Sequence, residues 1–266
     1  MIKLLKLDFK RAIFSRQFTI VVAIGILIAV LHVCIEVLPY YKYYPEGASY
    51  FSPFVKWISI DGFSTFALLF FMIFSFLASI TYSDSYFIDK NSGFIKNIYT
   101  KVNKRDYFLS KYITNFIIGG ISVIIPLLIN MYLVFMIIPS IKPSIFDSSL
   151  GVKEMFSNIY YNNPYIYIYI YVFICFMFGG VFSSIGLAFS IFCKNRFLVI
   201  TTPTLVYFSM FLLELAGFPQ LVPLKFLAAN QPVQGINIIS ISIIFLILFV
   251  FSLLVYTIGV KKDEII

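Results

Sequence analysis

Six runs in this chain contain hardly a charge: residues 18–38, 63–82, 112–138, 166–193, 197–217 and 236–260. Each is long enough to cross the ~30 Å hydrocarbon core of a bilayer as a helix, which takes about 20 apolar residues. Inside that core the backbone finds no water, so such runs fold as helices that close their own hydrogen bonds. A barrel needs alternating segments of about ten residues, and only "YIYIYIY" at 165–171 alternates in that way. Its tyrosines read as an aromatic belt at the outer end of the fourth run. Composition agrees: 12% of residues are charged and 61% hydrophobic, where soluble domains carry about 25% charged. The expected fold is an all-α integral membrane protein, a single domain over residues 1–266 with six spans.

The net charge of +8 raises the question of a nucleic-acid partner, and its distribution answers it. Lys3, Lys6, Lys10, Arg11 and Arg16 precede the first run, and Lys90, Lys96, Lys101, Lys104, Arg105 and Lys111 fall between the second and third. Lys194 and Arg196 follow the fourth run, and Lys261 and Lys262 the sixth. The alternate connections hold only Lys42, Lys56, Lys142, Lys153 and Lys225. This asymmetry is the positive-inside pattern and places both termini in the cytoplasm. The cations flank spans instead of forming one stripe, so no nucleic-acid partner is expected. The basic start lacks a short apolar core with a cleavage site, so no removable signal is expected.

Before the first run, Ile2, Leu5, Phe9, Ala12 and Ile13 recur at helical spacing beside Lys3, Lys6 and Lys10, which predicts an amphipathic interfacial helix over 1–17 in contact with membrane lipids. The first outer connection, rich in Tyr, Phe and Pro and holding the single Trp57, reads as a segment resting on the outer headgroups. "GVKEMFSNIYYNNP" at 151–164 predicts one short helix. "FPQLVPLKFLAANQPVQG" at 218–235 predicts a partly re-entrant or interfacial hairpin. Gly179, Ser183, Gly186 and Ser190 lie along one face of the fourth run and allow close helix packing. Pro126 and Pro203 are expected to kink the third and fifth runs.

Catalytic patterns are absent. There is no Gly-x-x-x-x-Gly-Lys-Ser/Thr loop to cradle phosphate and no Gly-x-Ser-x-Gly elbow. With one histidine, a His-Glu-x-x-His metal site is excluded. No cofactor is expected on this chain, and any ATP must be handled by another subunit. His32 and Glu36, four apart in the first run, and Glu214 near the end of the fifth are the polar groups that could mark a substrate pathway or reach the headgroups. Phe226 and Leu227 in the proline-rich connection are candidates for an outer gate.

One stretch stands apart: "DKNSGFIKNIYTKVNKRDYFLSK", residues 89–111, a charged segment between two apolar runs. Within it Phe94, Ile95, Ile98 and Tyr99 recur at helical spacing and give one apolar face, suited to a partner's groove or to the inner headgroups. Gly93 can supply unusual backbone angles at the turn before that helix.

The whole layout resembles the permease subunits of type-2 ABC transporters, chiefly exporters. The resemblance rests on the 83–111 connection, where Asp89, Gly93, "FIKNIYT", Arg105 and Lys111 stand as in a family coupling loop. It rests also on "GLAFSIFCKNRFLVITTP" at 186–203, which is similar to the turn joining the family's fourth and fifth spans. "KVNKR" fills a turn where family members often have proline. The resemblance implies a second permease copy or a related permease, cytoplasmic ABC ATPase subunits that bind ATP and Mg, and residues 83–111 as the coupling loop. It implies residence in a bacterial cytoplasmic membrane and export of an amphipathic substrate, with membrane-active peptides the nearest analogy. A drug, lipid or ion exporter of the same fold, or a non-transporting scaffold or sensor, stays open.

Overall fold

A computed structural model of the chain describes residues 1–39, 52–145 and 150–263, apart from the side chains of residues 96, 262 and 263. Residues 40–51 and 146–149, Lys42 among them, lie outside the described residues. The described residues are helical and form no strand.

α1 (Ile2–Ile13) ends at Phe14, and Ser15 caps α2 (Arg16–His32) by accepting from the Phe18 N–H at 3.1 Å. A serine in extended backbone satisfies one of the orphan donors at a helix start. The interfacial helix expected over 1–17 is therefore shorter, and α2 begins before its apolar run. α1 packs against the bundle through Asp8 and Ala12, which are buried, and leaves Ile2, Leu7, Ile13 and Phe14 exposed beside Lys3, Lys6 and Lys10. The predicted apolar face is thus split, because the ion pairs of Asp8 and Arg11 draw Ala12's side of the helix inward. At its far end α2 widens into a π-helical turn, Val33–Val37.

The second run is bent. α3 (Thr65–Met72) and α4 (Phe74–Ile80) meet at Ile73, and α3 makes an angle of 49° with the Phe74–Asn91 segment. α5 (Ser85–Asn91) and α6 (Phe94–Tyr99) follow. Between the last two stands Gly93 at φ 72°, a left-handed conformation that side chains with a Cβ avoid. α7 (Lys104–Ile137) starts two turns earlier than its apolar run and takes Lys111 into its interior. α8 (Ser157–Asn162) is the short helix expected within 151–164, and α9 (Pro164–Ser190) begins with proline in its first turn, where no N–H is needed. α10 (Arg196–Ser209), capped by the Asn195 side chain, leads through α11 (Leu212–Leu215) and a 3₁₀ turn at Pro219–Leu221 to α12 (Pro223–Leu227) and α13 (Ile238–Asp263). Five of these helical segments are long and apolar enough to cross a membrane, or six if the bent α3–α4 pair is one span.

α9 is the axis of the bundle, flanked by α7, α13, α10 and α4. Its small residues make that possible. A Cβ added to Gly119 of α7 would lie 2.3 Å from Ser183 Cβ, and one added to Gly180 would lie 2.8 Å from the Phe116 carbonyl oxygen. Gly179 faces Val123, and Gly186 faces Ser83 and Pro203. Ser183 also donates to Asn115 Oδ1 at 2.8 Å, while buried Ser190 donates to its own helix at Leu187 O. The four residues expected on one packing face are all buried. Pro126 and Pro203 do not break their helices: the ring of Pro126 fills a notch at Gly25, where a Cβ would come within 2.3 Å of its Cγ.

Two aromatic readings are corrected. In "YIYIYIY", Tyr165 and Tyr169 are exposed as a belt requires, but Tyr167 and Tyr171, one helical turn apart, are fully buried. The Tyr167 hydroxyl donates to Ala229 O and receives the Gln231 amide. Trp57, placed by its type at the headgroups, is also fully buried and donates its indole N–H to Leu127 O at 3.0 Å. Hydrogen bonds to carbonyls of other segments let Tyr167 and Trp57 go inside, and Tyr171 packs 4.9 Å from the Tyr167 ring.

Candidate functional site

At the basic end of the bundle a closed ionic network joins α1, α5 and α7 to the turn after α4. Lys111 has no exposed surface; its Nζ lies 2.8 Å from Asp89 Oδ2, 3.3 Å from Asp8 Oδ1 and 2.9 Å from the Tyr82 hydroxyl. Asp89 also takes a two-nitrogen grip from Arg11, at 2.6 and 3.3 Å, and the Tyr107 hydroxyl at 2.8 Å. Asp8 takes the hydroxyls of Ser110 at 2.6 Å and Tyr82 at 3.0 Å. Two carboxylates thus meet two cations, and the neighbouring hydroxyls fill the remaining positions. A buried ion pair persists only when its geometry and added hydrogen bonds offset the loss of water. Beside it, Asp84 binds Arg196 and the Gln17 amide, tying the start of α10 and of α2 to the turn before α5.

Of the residues assigned by resemblance to coupling, Asp89 and Lys111 come together in this network and Gly93 makes the turn between α5 and α6. The face of α6 expected to be free is turned inward. Ile95 is buried, and Ile98 and Tyr99 are partly buried in a cluster with Tyr86, Tyr107, Phe108 and Tyr256. The reason is that α7 extends back to Lys104 and offers Tyr107 and Phe108 as a closer apolar surface. Phe94 remains about one-third exposed, with the Arg11 guanidinium 4.9 Å from its ring centre, and Arg105 stands exposed outside the network. The sequence reading missed Asp8, Arg11, Tyr82, Tyr107 and Ser110. One signal was available: Asp8, the only acid in a basic segment, is four residues from Ala12 and three from Arg11, hence on one helical side.

At the opposite end, His32 and Glu36 meet Asp61 from the turn before α3. His32 Nε2 is 3.6 Å from Asp61 Oδ2 and 3.8 Å from Glu36 Oε2, and Lys56 Nζ is 2.9 Å from the same Asp61 oxygen. Glu36 Oε1 accepts the Thr65 N–H at 3.1 Å, holding α2 to the start of α3. Burial alone would raise the Asp61 carboxyl; neighbouring His32 and the Lys56 ammonium outweigh it and hold the group below its ordinary range.

Three donors of the types that bind metals therefore lie within 4.8 Å of one another. Their hydrogen bonding argues against a metal. Asn130 Oδ1 accepts the Ile58 N–H at 2.9 Å and its Nδ2 donates to Ala29 O at 3.1 Å, which fixes the amide's orientation. The same Nδ2 then donates to His32 Nδ1 at 3.0 Å, so the ring proton sits on Nε2. A metal at Nε2 needs the proton on Nδ1, with an acceptor opposite it; here the opposite group is a donor.

Of the other pathway candidates, Glu214 on α11 is half-exposed and 3.5 Å from Lys225. Phe226 and Leu227 are fully buried, with the Phe226 ring 5.0 Å from Phe178, so they belong to the core and line no opening. Ser59 pins their segment by accepting the Ala229 N–H at 3.1 Å. A cavity of about 170 Å³ does open beside them, between Asp61, Ser64, Leu68, Phe71, Lys225 and Asn230.

Comparison of the chain with protein families, with curated proteins and with solved structures finds no match.

Proposed function

We propose that this chain is the membrane permease subunit of a type-2 ABC exporter, with six spans and both termini on the cytoplasmic side of a bacterial membrane. The observation that carries the reading is the buried network of Asp8, Arg11, Asp89 and Lys111, which fastens a surface-lying helix and a short helical hairpin to the root of a 34-residue helix, α7. A permease that takes its work from a separate ATPase needs such a unit, because a push on a loose loop is dissipated before it reaches the spans. In this reading α5 and α6 are the part touched by the ATPase, and ATP and Mg are bound by that partner.

The contact surface differs from the one the sequence suggests. With Ile95, Ile98 and Tyr99 packed inward, the partner meets Phe94, Asn97, Thr100 and Lys101, which are exposed. Lys90, Lys104 and Arg105 around them attract an acidic rim. A second permease copy, or a related permease, completes the pathway, and an amphipathic substrate of the membrane-active peptide class leaves by the end that holds His32, Glu36 and Asp61. The test is reconstitution with the ATPase. Phe94→Asp with Lys101→Glu abolishes copurification of the ATPase and substrate-stimulated hydrolysis while the permease stays inserted. An ATPase that binds and responds to this variant as to the native chain removes the docking assignment.

A further inference from the structure

The pair of contacts on the two sides of the His32 ring are in conflict over a proton. Its Nε2 lies 3.8 Å from Glu36 Oε2 and 3.6 Å from Asp61 Oδ2, too far for a good hydrogen bond, and neither Nε2 nor Glu36 Oε2 has a hydrogen-bond partner, although both atoms are buried. Its Nδ1 lone pair is occupied by the Asn130 amide. A second proton on the ring must go to Nδ1, where it would meet the N–H of Asn130. Asn130 cannot turn over to present its oxygen, because both ends of the amide are held by backbone groups, Ile58 N–H and Ala29 O.

We propose that His32 is an acid-operated latch: protonation of Nδ1 expels Asn130 and loosens the 52–62 turn at Ile58, where Asn130 joins it to α2 and α7. The groups facing the ring make an imidazolium acceptable once the latch has opened. α2 contributes Glu36, and the turn contributes Asp61 with Lys56 upon it; α3 contributes the Thr65 N–H already bound to Glu36, and α7 contributes only Asn130. Asn130 joins α2, the turn and α7 at one point, so losing it leaves the turn held to α7 by the Trp57 indole bond to Leu127 O and to residues 229–230 by Ser59. The π-helical turn that begins at Val33 puts an irregular stretch of helix at the site, where a change of register needs least rearrangement. The inference does not depend on what the protein transports.

The chain carries its own reporter. Trp57, its single tryptophan, lies in the turn that the latch holds, next to Ile58, and is buried with its indole bonded to α7. Intrinsic fluorescence of the full chain in nanodiscs is followed from pH 8 to pH 5, the interval in which histidine changes charge. The emission is expected to move to longer wavelength, and acrylamide quenching to rise, as the pH falls. In His32→Gln the emission stays where the native protein has it at pH 8. In Glu36→Gln the transition persists, moved to lower pH because one counter-charge is gone. A native emission that does not change over this interval overturns the proposal. So does a transition that survives His32→Gln, or one that Glu36→Gln abolishes, since the proton would then be taken elsewhere. If His32→Gln does not fold, the native and Glu36→Gln titrations still decide.

Discussion

Replacing Lys111 by methionine keeps the length of the side chain and removes its charge. The native ammonium is fully buried and touches Asp8, Asp89 and the Tyr82 hydroxyl within 3.3 Å. After the change Arg11 is the one cation left in the network, and it reaches only Asp89. Asp8 keeps two hydroxyl donors but no cation in contact. Breaking a buried pair by removing one partner costs about 3–5 kcal/mol, because the remaining charge is stranded. Asp8→Asn should cost less, since Lys111 retains Asp89. The double variant leaves one carboxylate and one guanidinium, a neutral remainder, and should be more stable than Lys111→Met alone. The expected coupling is about 1–3 kcal/mol, in the upper part of the roughly 0.5–3 kcal/mol range for residues in one network. Denaturation of the four proteins in one detergent, followed by circular dichroism, measures the cycle. Additive losses within about 0.5 kcal/mol would refute the reasoning, since the two groups would then not be sharing a charge.

Gly180→Leu should separate α7 from α9 and abolish stable folding, because even a Cβ meets the Phe116 carbonyl at 2.8 Å; proteolysis of purified membranes reads this out. Phe226→Ala should lower the amount of folded protein, through a loss of about 3–5 kcal/mol from the core, as read by size-exclusion chromatography of the solubilised chain. Asp61 is held below its ordinary 3.8 by its neighbours, so its contribution is present at pH above that value and disappears as the pH falls through the lowered one. Asp61→Asn should therefore be less stable than the native chain near neutrality, with the gap closing in strong acid, as seen by thermal unfolding at a series of pH values. A cysteine at Lys101 should be shielded from an impermeant reagent in intact cells and one at Lys153 labelled; the reverse result inverts the proposed topology.

Much of the helical layout is legible in the sequence because a membrane leaves little choice: apolar runs become helices, and the small-residue face of residues 179–190 meets a neighbour as its spacing implies. The short helix at 94–99 and the turn at Gly93 are equally readable, one from periodicity and one from the only residue that accepts the angle easily. The site is less so. Asp8 and Arg11 go inward against the apparent pattern, since an ion pair with Asp89 and Lys111 is made between segments some eighty to a hundred residues apart and leaves no local trace. Nothing marks the bend at Ile73, where neither glycine nor proline is present. Residue type points Trp57, Tyr167 and Tyr171 to the interface, and a setting among prolines points Phe226 and Leu227 to an opening. Their burial depends on partners in distant segments, such as Leu127 O for Trp57, Ala229 O for Tyr167 and the Phe178 ring for Phe226, which composition does not reveal.

The central claim is that this chain hands mechanical work from a separate ATPase to a membrane pathway. Its most direct test is purification of the tagged chain from its own membranes, followed by measurement of Mg-dependent ATP hydrolysis in the eluate. The claim predicts a copurified subunit with a phosphate-cradling loop, hydrolysis that rises with the exported substrate, and loss of both in Phe94→Asp/Lys101→Glu. A folded chain that elutes without such a subunit under mild detergent, and restores no hydrolysis when mixed with candidate ATPases from the same cell, contradicts it.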